Sequence, residues 1–391
     1  MKVIYIIGGS GKRFGSEIVA MSLMEKLSRD YGVEFLVVVD LEAVEGCVAD
    51  FCREKNIQYI AAPIKDWVYY PSNNKILRFV KKNVRLFQAQ MAEHFAVKQL
   101  ESKVDVSKYD LIHTNLSRNL LGARLSQKYG VPHVWHLQEL SRLHYGLDYL
   151  SANQIEYMNC NSTSFVAISE YVRKAWISEG LKSKKLKTVW NGIETDKYKK
   201  KCINEGTDKI RIVMVGYLSK LKGQDQLIKA LGAMDVSERE NFVVDFIGSG
   251  TESYIAEIKR IITEYGLEHY VHLKGYSDNV SSILGNYDVG IICSKAEGFG
   301  LVTVEYMASG LCTIASDTGC NPYIIEDGKD GILYRYNDYN DLKSKLLMIR
   351  NNTGLINDIS KEAIKHARER FDIKRMATEI FQIYKDAIYH D

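Results

Sequence analysis

Short apolar runs and amphipathic stretches alternate along most of this chain, and that rhythm predicts an architecture before any single residue is considered. Runs rich in β-branched side chains at 3–7, 34–39, 58–61, 111–113, 133–136, 165–167 and 187–190 have the length and continuity of strands buried on both faces. The segments between most of them show helical spacing. After residue 208 the scheme repeats, with strands expected at 210–215, 243–247, 271–273, 289–293, 313–315 and 332–334, and helices at 225–231 and 253–265. Strand and helix alternating in this way predict an α/β protein of two Rossmann-like, doubly wound parallel-sheet domains. The polar, aperiodic stretch 191–208 marks their join. We therefore expect one domain over 1–190, a second over 191–372, and a last helix within 373–391 that could pack back on the first. Two such domains facing across a cleft suit a reaction between two substrates.

One helical stretch is amphipathic in a particular way. At 100° per residue, Ile76, Leu77, Phe79, Val80, Val84, Leu86 and Phe87 gather on one half of a helix over 75–87. Arg78, Lys81, Lys82 and Arg85 share the other half. Such a helix either lies on an anionic membrane, with Trp67, Tyr69 and Tyr70 nearby, or packs on its own sheet with its cations in water. Periodicity allows both.

Composition then narrows the class. With 391 residues, 46% hydrophobic and 26% charged, the chain is long enough for two cores and ordinary for a soluble globular protein. Its seven cysteines are odd in number and form no Cys-x-x-Cys pair, which argues against a disulfide framework and a zinc site. The apolar opening is followed at once by glycines and by Lys12 and Arg13 and is too short for a signal peptide or a membrane span, so the expected location is cytoplasmic. Net charge is +3, but residues 1–190 hold 26 Lys/Arg against 19 Asp/Glu while 191–391 hold 26 against 30. That asymmetry permits a weak pull toward anionic surfaces and is too small to make nucleic acid the main partner.

Candidate chemistry sits in the loops that follow expected strands. Glu297-Gly-Phe-Gly-Leu-Val-Thr-Val-Glu305 packs two carboxylates and two glycines into the strand-to-helix turn after 289–293, where open parallel sheets bind ligands. Gly298 and Gly300 allow close backbone approach, and free amides of the new helix face the loop. Two acids there suit the hydroxyls of a sugar and a ribose. Lys222, in the turn after 210–215, can hold a diphosphate together with helix-end amides, or can be a solvated lysine. The glycine-rich stretch from Gly8 to Gly15 fits neither a dinucleotide fingerprint nor a P-loop by spacing, so it reads as a flexible loop whose Lys12 and Arg13 contact phosphate or acceptor, or simply water. His113 and His136 each end a strand of the first half. His136 has the stronger claim to a substrate, because Gln138 and Glu139 follow it; a hydrogen-bonded structural histidine is the commoner case.

Taken together, these motifs resemble the family-four retaining nucleotide-sugar glycosyltransferases, which have the GT-B fold of two Rossmann-like domains. The resemblance spans nearly the whole chain. It is carried by 297–305, by Ala308-Ser-Gly-Leu-Cys-Thr-Ile-Ala-Ser316, by 216–223, by Ala167-Ile-Ser169, by Asn191-Gly-Ile193 and by Gly15-Ser-Glu17. It implies a catalytic pair, His136 and Glu297, at the transferred sugar. Gly15 and Lys222 would hold the diphosphate, the amides of Gly298, Phe299, Gly300 and Leu301 would support the donor, and Glu305 would bind the ribose hydroxyls. No metal and no other cofactor is implied, since the departing diphosphate takes the acceptor proton, and the sequence has no Asp-x-Asp. The partners implied are a nucleoside diphosphate sugar donor and a glycan acceptor. Joined to the basic helix, the family's roles in capsule, lipopolysaccharide and cell-wall assembly suggest a lipid-linked acceptor and a peripheral position on the inner face of the plasma membrane. An epimerase or phosphorylase on the same fold, or a catalytically silent sugar-nucleotide-binding subunit, are the alternatives. One departure matters: Tyr217 stands where the family has arginine, so Lys220 or Arg13 must supply the second cation or donor binding is weakened. Cys312 in place of a common proline is a minor change.

Overall fold

The computed structural model describes residues 1–8, 14–200 and 209–389, which leaves Lys12 and Arg13 outside the described residues. The chain divides into two compact units, Met1–Gly192 with Ile373–Asp391, and Ile193–Asp372.

The first unit holds a seven-stranded parallel sheet ordered β3-β2-β1-β5-β6-β8-β9. Its strands are β1 (Lys2–Ile7), β2 (Glu34–Asp40), β3 (Gln58–Ala62), β5 (Leu111–Asn115), β6 (His133–Leu137), β8 (Ser164–Ala167) and β9 (Leu186–Thr188). The strands at its centre are buried along nearly their whole length, which is why they read as unbroken apolar runs rather than as alternating ones. Register fixes what meets at the sheet's carboxyl edge: Ile7 lies opposite Asn115, and Asn115 opposite His136.

Two pieces of this unit were not legible from periodicity. β4 (Val68–Tyr69) and β7 (Asp148–Tyr149) form a two-residue antiparallel pair, too short to leave a pattern. This pairing buries Trp67 and Tyr69, so of the three aromatics expected beside a membrane-facing helix only Tyr70 is exposed. The helix expected over 75–87 runs instead from Lys75 to Glu101, capped by Asn74, whose side chain accepts from the amides of Ile76 and Leu77 at 3.0 and 3.1 Å. Its second half supplies Ala89, Ala96, Val97 and Leu100 to the core, and these small and apolar residues anchor the longer element.

The helix Ile373–Tyr389 belongs to the first unit although the whole second unit precedes it in sequence. It buries Ile380, Ile383 and Tyr384, and the Tyr384 hydroxyl lies 2.8 Å from His113 Nδ1. Lys187 and Asp386 pair at 2.8 Å, and Tyr31 stacks on Phe381 at 4.3 Å.

The second unit carries a six-stranded parallel sheet ordered β12-β11-β10-β13-β14-β15. The strands are β10 (Ile210–Val215), β11 (Phe242–Ile247), β12 (Val271–Gly275), β13 (Val289–Ile292), β14 (Cys312–Ser316) and β15 (Ile332–Tyr334). In each sheet the order of connection reverses beside the first strand, between β1 and β5 and between β10 and β13. Loops on either side of such a reversal part to leave a crevice at the strand ends. Among the described residues no helix is long and apolar enough to cross a membrane.

Candidate active site

In the second unit the reversal brings Lys222 and Glu297 together. The turn carrying Lys222 leaves β10 and the loop carrying Glu297 leaves β13, and these strands are neighbours in the sheet. The Lys222 ammonium donates to Glu297 Oε1 at 2.5 Å, with both side chains partly buried. The two loops are stitched by backbone: the Lys295 amide donates to the Leu221 carbonyl at 2.9 Å, and Gln226 Nε2 donates to the Cys293 carbonyl at 3.0 Å. Gly223 opens the helix Gln224–Gly232 in the left-handed region at φ 71°, where an added Cβ would lie 2.5 Å from the Cys293 carbonyl oxygen. Glycine there is a condition for the two loops approaching at all.

The Glu297 loop is also held from behind. Ser316 Oγ and Thr318 Oγ1 donate to the Ser294 carbonyl at 2.8 and 3.0 Å, and the Cys320 amide donates to the Glu297 carbonyl at 3.0 Å. Asn321 ties the far side, donating to the Ser316 carbonyl at 3.0 Å and accepting from Thr303 Oγ1 at 3.1 Å. Gly319, at φ 59°, has no room for a side chain, because a Cβ would sit 2.5 Å from the Glu297 amide nitrogen. Gly300 then opens the helix Leu301–Ala308 at φ 85°. The first amides of that helix lack intrahelical acceptors and, with the helix dipole, favour an anion. A cation beside a helix start, with a fixed carboxylate 2.5 Å away, can grip a phosphate and a hydroxyl at once.

Other expected donor residues of this unit fall into place differently. Glu305 is on the same helix, and the Tyr198 hydroxyl donates to its Oε1 at 2.9 Å. Burial holds the Glu305 carboxyl above the ordinary range, partly offset by that hydrogen bond. Tyr198 was not singled out by the sequence, being 107 residues from its partner with no motif around it. The Phe299 side chain is buried against Phe371, with ring centroids 5.7 Å apart, so only its backbone can serve a ligand. Tyr217 is exposed. Lys220, one of the two cations that could replace the missing arginine, points to Glu257 at 3.6 Å.

In the first unit Gly15 opens the helix Gly15–Tyr31 after β1, at the carboxyl edge of the sheet. His136 lies at that same edge but is fully buried, and burial alone lowers its pKa to about 3. It is therefore a neutral imidazole at physiological pH. Its Nδ1 finds no hydrogen-bond partner among the described residues, and its Nε2 lies 3.5 Å from Gln138 Nε2. Gln138 is itself fixed, donating to Asn115 Oδ1 and accepting from Asn191 Nδ2, each at 3.1 Å. His113 is a structural histidine, stacked on Tyr5 at 4.2 Å and held by Tyr384.

The chain matches two family descriptions in tandem, Glycosyltransferase Family 4 over residues 15–197 and Glycosyl transferases group 1 over 196–366. The chain belongs to the family 4 glycosyltransferases. It is 28% identical over 280 residues to the uncharacterized glycosyltransferase MJ1178 of Methanocaldococcus jannaschii, covering 71% of this chain and 75% of that one. It is 29% identical to an uncharacterized 41.2 kDa protein in the cps region of Klebsiella pneumoniae, over 56% of this chain and 60% of that one. The crystal structure of Anabaena Alr3699/HepE in complex with UDP superposes with a TM-score of 0.80 at 22% identity, covering 99% of this chain and 100% of that chain. The same protein has been solved with UDP-glucose. The fold is GT-B.

This glycosyltransferase also carries a charged cluster at the carboxyl edge of its first sheet that sequence reasoning missed. Arg118, just after β5, has Nη1 3.4 Å from Asp66 Oδ2 and Nε 3.7 Å from Glu139 Oε1. Glu139 Oε1 also accepts from the amide and the hydroxyl of Ser117, at 2.9 and 2.7 Å. Burial raises the carboxyls of Glu139, Asp66 and Glu17, while the Arg118 charge acts against that rise in all three. Glu139 was visible beside His136; Asp66 and Arg118 were not, because nothing local marks residues that meet from separate loops. Nearby Leu116 is held in the left-handed region at φ 74°, with its carbonyl accepting from Trp135 Nε1 at 2.8 Å. Backbone strain in a bulky residue concentrates at functional edges.

Proposed function

We propose that this glycosyltransferase is a retaining enzyme that moves a sugar from a nucleoside diphosphate donor to a glycan acceptor in cell-surface polysaccharide assembly, without a metal ion. The observation that carries the reading is the Lys222–Glu297 pair at the start of the helix Leu301–Ala308. In this reading Lys222 and the amides from Gly298 to Leu301 take the diphosphate, Glu297 accepts from hydroxyls of the transferred sugar, and Glu305 from those of the ribose. Gly15 adds backbone contact to the diphosphate, and His136, neutral because it is desolvated, hydrogen-bonds the sugar near the reacting carbon. Charge building on the leaving diphosphate is stabilised by the ammonium and helix-end amides. The protein of the Klebsiella cps region and the UDP-glucose complex of Alr3699/HepE support a uridine-linked hexose as the first donor to try, and a surface glycan as acceptor. A lipid-linked acceptor and a cytoplasmic, peripheral position belong to the same reading.

The test is a set of nucleoside diphosphate sugars offered one at a time, read by thermal stabilisation and by release of the nucleoside diphosphate. A binder at 100 times its dissociation constant stabilises by about 2.7 kcal/mol. Stabilisation by none of the set ends the proposal. Release accompanied by a product whose anomeric configuration is inverted ends its retaining part, and turnover of donor to an epimer without acceptor moves the assignment to an epimerase.

A further inference from the structure

The first half of the helix Lys75–Glu101 presents an apolar stripe that nothing in its own unit covers. At about 100° per residue, Ile76, Val80, Val84, Phe87, Met91 and Phe95 fall within an arc of roughly 100°. All six are exposed, with Ile76 at 77%, Phe87 at 64% and Phe95 at 54%. The residues that pack into the unit, Ala89, Glu93, Ala96, Val97 and Leu100, occupy an arc on the opposite side of the same helix. The stripe thus points directly away from the core, and from Ile76 to Phe95 it is about 29 Å long at 1.5 Å per residue. A soluble face of this kind is ordinarily polar; large aromatic and aliphatic side chains standing in line there mark an interaction surface.

Charge decides what fits it. Residues 75–92 carry five cations and no acid. Lys81 borders the stripe and Arg85 lies further round on the same flank, between the stripe and the core-facing arc; from there a long aliphatic stem can follow the apolar residues while its charged end reaches outward. Second copies of the helix meeting through this stripe would bring those cations against one another, whereas an anionic lipid surface would neutralise them as the apolar side chains enter it.

We propose that this helix docks the protein on an anionic bilayer, lying in the plane of the headgroups with Ile76, Val80, Phe87 and their neighbours in the acyl boundary and Lys81 and Arg85 at the phosphates. The inference deepens the functional reading given above and rests on it for the benefit of being at a membrane, but the docking itself requires no donor. The test uses the full chain and vesicle flotation, comparing equal parts phosphatidylcholine and phosphatidylglycerol with phosphatidylcholine alone. The wild type should bind the mixed vesicles about tenfold or more tightly than the neutral ones, and less so in high salt. Replacing three stripe residues together, Ile76→Ser, Val80→Ser and Phe87→Ser, and separately Lys81→Glu with Arg85→Glu, should each reduce that binding about tenfold or more. Stabilisation by UDP, measured on the same preparations, should be equal in wild type and variants, which establishes that the variants are folded. Mixed vesicles that fail to float the wild type, or that float both variants equally well, overturn the proposal. So does a wild type that is dimeric without vesicles and becomes monomeric in the serine variant, which would assign the stripe to a second copy. Failure of UDP to stabilise any of the proteins would count against the donor reading alone.

Discussion

The two sheets share one pattern of strand order and end in opposite kinds of chemistry. Beside β10 and β13 the strand ends hold an accessible ammonium and carboxylate in direct contact, on loops fixed by glycines and side-chain hydrogen bonds. Beside β1, β5 and β6 the strands hold neutral imidazoles, amides and a phenol, sealed from water and packed ring against ring, with the Arg118, Asp66 and Glu139 cluster just past the strand ends. Similar backbones therefore do not impose similar sites. The second unit keeps its ion pair where a charged ligand can compete for it; the first keeps its buried histidines uncharged, which costs less to bury and fixes their geometry.

The largest effect should come from separating the ion pair. Lys222→Ala should lower transfer by about 10²- to 10³-fold, in the range seen when one group stabilising transition-state charge is removed, and should weaken UDP binding as well. Glu297→Gln should lower transfer comparably while UDP binding is kept or tightened, since Lys222 no longer shares its charge with a carboxylate. Calorimetry with UDP beside a donor-turnover assay separates the two, and equal loss of UDP affinity in both variants would contradict the division of labour.

Acid stability should expose the other region. His133 and His136 are fully buried, and burial lowers each to about 3 from an ordinary value of 6.5. Unfolded, they bind protons below about pH 6.5, and folded they do not until about 3. Their stabilisation is thus complete above 6.5 and is lost as pH falls through that window, each by on the order of 1.4 kcal/mol per unit. Glu139, whose carboxyl is raised by burial, works in the opposite sense. Denaturant titrations at pH 7.5 and 5.5 on wild type and a His133→Gln, His136→Gln double variant isolate the histidines. A pH dependence that survives in the double variant would place it elsewhere.

Adding a cation should sharpen the donor side. Tyr217→Arg restores the charge that the family's pattern has there, at an exposed position, and should tighten UDP binding by about tenfold or more, a charge-assisted hydrogen bond being worth about 1.5–3 kcal/mol. Unchanged affinity means another group already occupies the place. Smallest, Tyr198→Phe removes the hydroxyl that orients Glu305 and should weaken UDP by about 3- to 10-fold, in keeping with about 0.5–1.5 kcal/mol for a hydrogen bond, while a 2′-deoxy nucleotide is affected less. Equal effects on both nucleotides would remove Glu305 from the ribose.

How much of this could be read in advance follows from distance along the chain. The strands were legible because burial on both faces turns them into local apolar runs, and the Glu297–Glu305 segment because its carboxylates and glycines lie within nine residues of one another. Lys222 was legible from its place after a strand, and its contact with Glu297 from neither loop alone. The contacts that join separate segments left no local trace: Tyr198 with Glu305, Arg118 with Asp66, and Tyr384 with His113. For the helix over 75–101, periodicity showed that two faces existed and could not show which of them the sheet would take. The buried face proved to be set by Ala89, Ala96, Val97 and Leu100, beyond the stretch whose pattern first drew attention.

The return of Ile373–Tyr389 to the first unit has a consequence for synthesis. The first sheet emerges from the ribosome lacking the helix that covers His113 and Tyr5, and the 180 residues of the second unit must follow before that helix exists. At roughly 5–20 residues per second the interval is on the order of ten to forty seconds. Throughout it the nascent amino-terminal half stays unfinished, an open apolar surface within reach of chaperones, while its partner, encoded without interruption, can mature first.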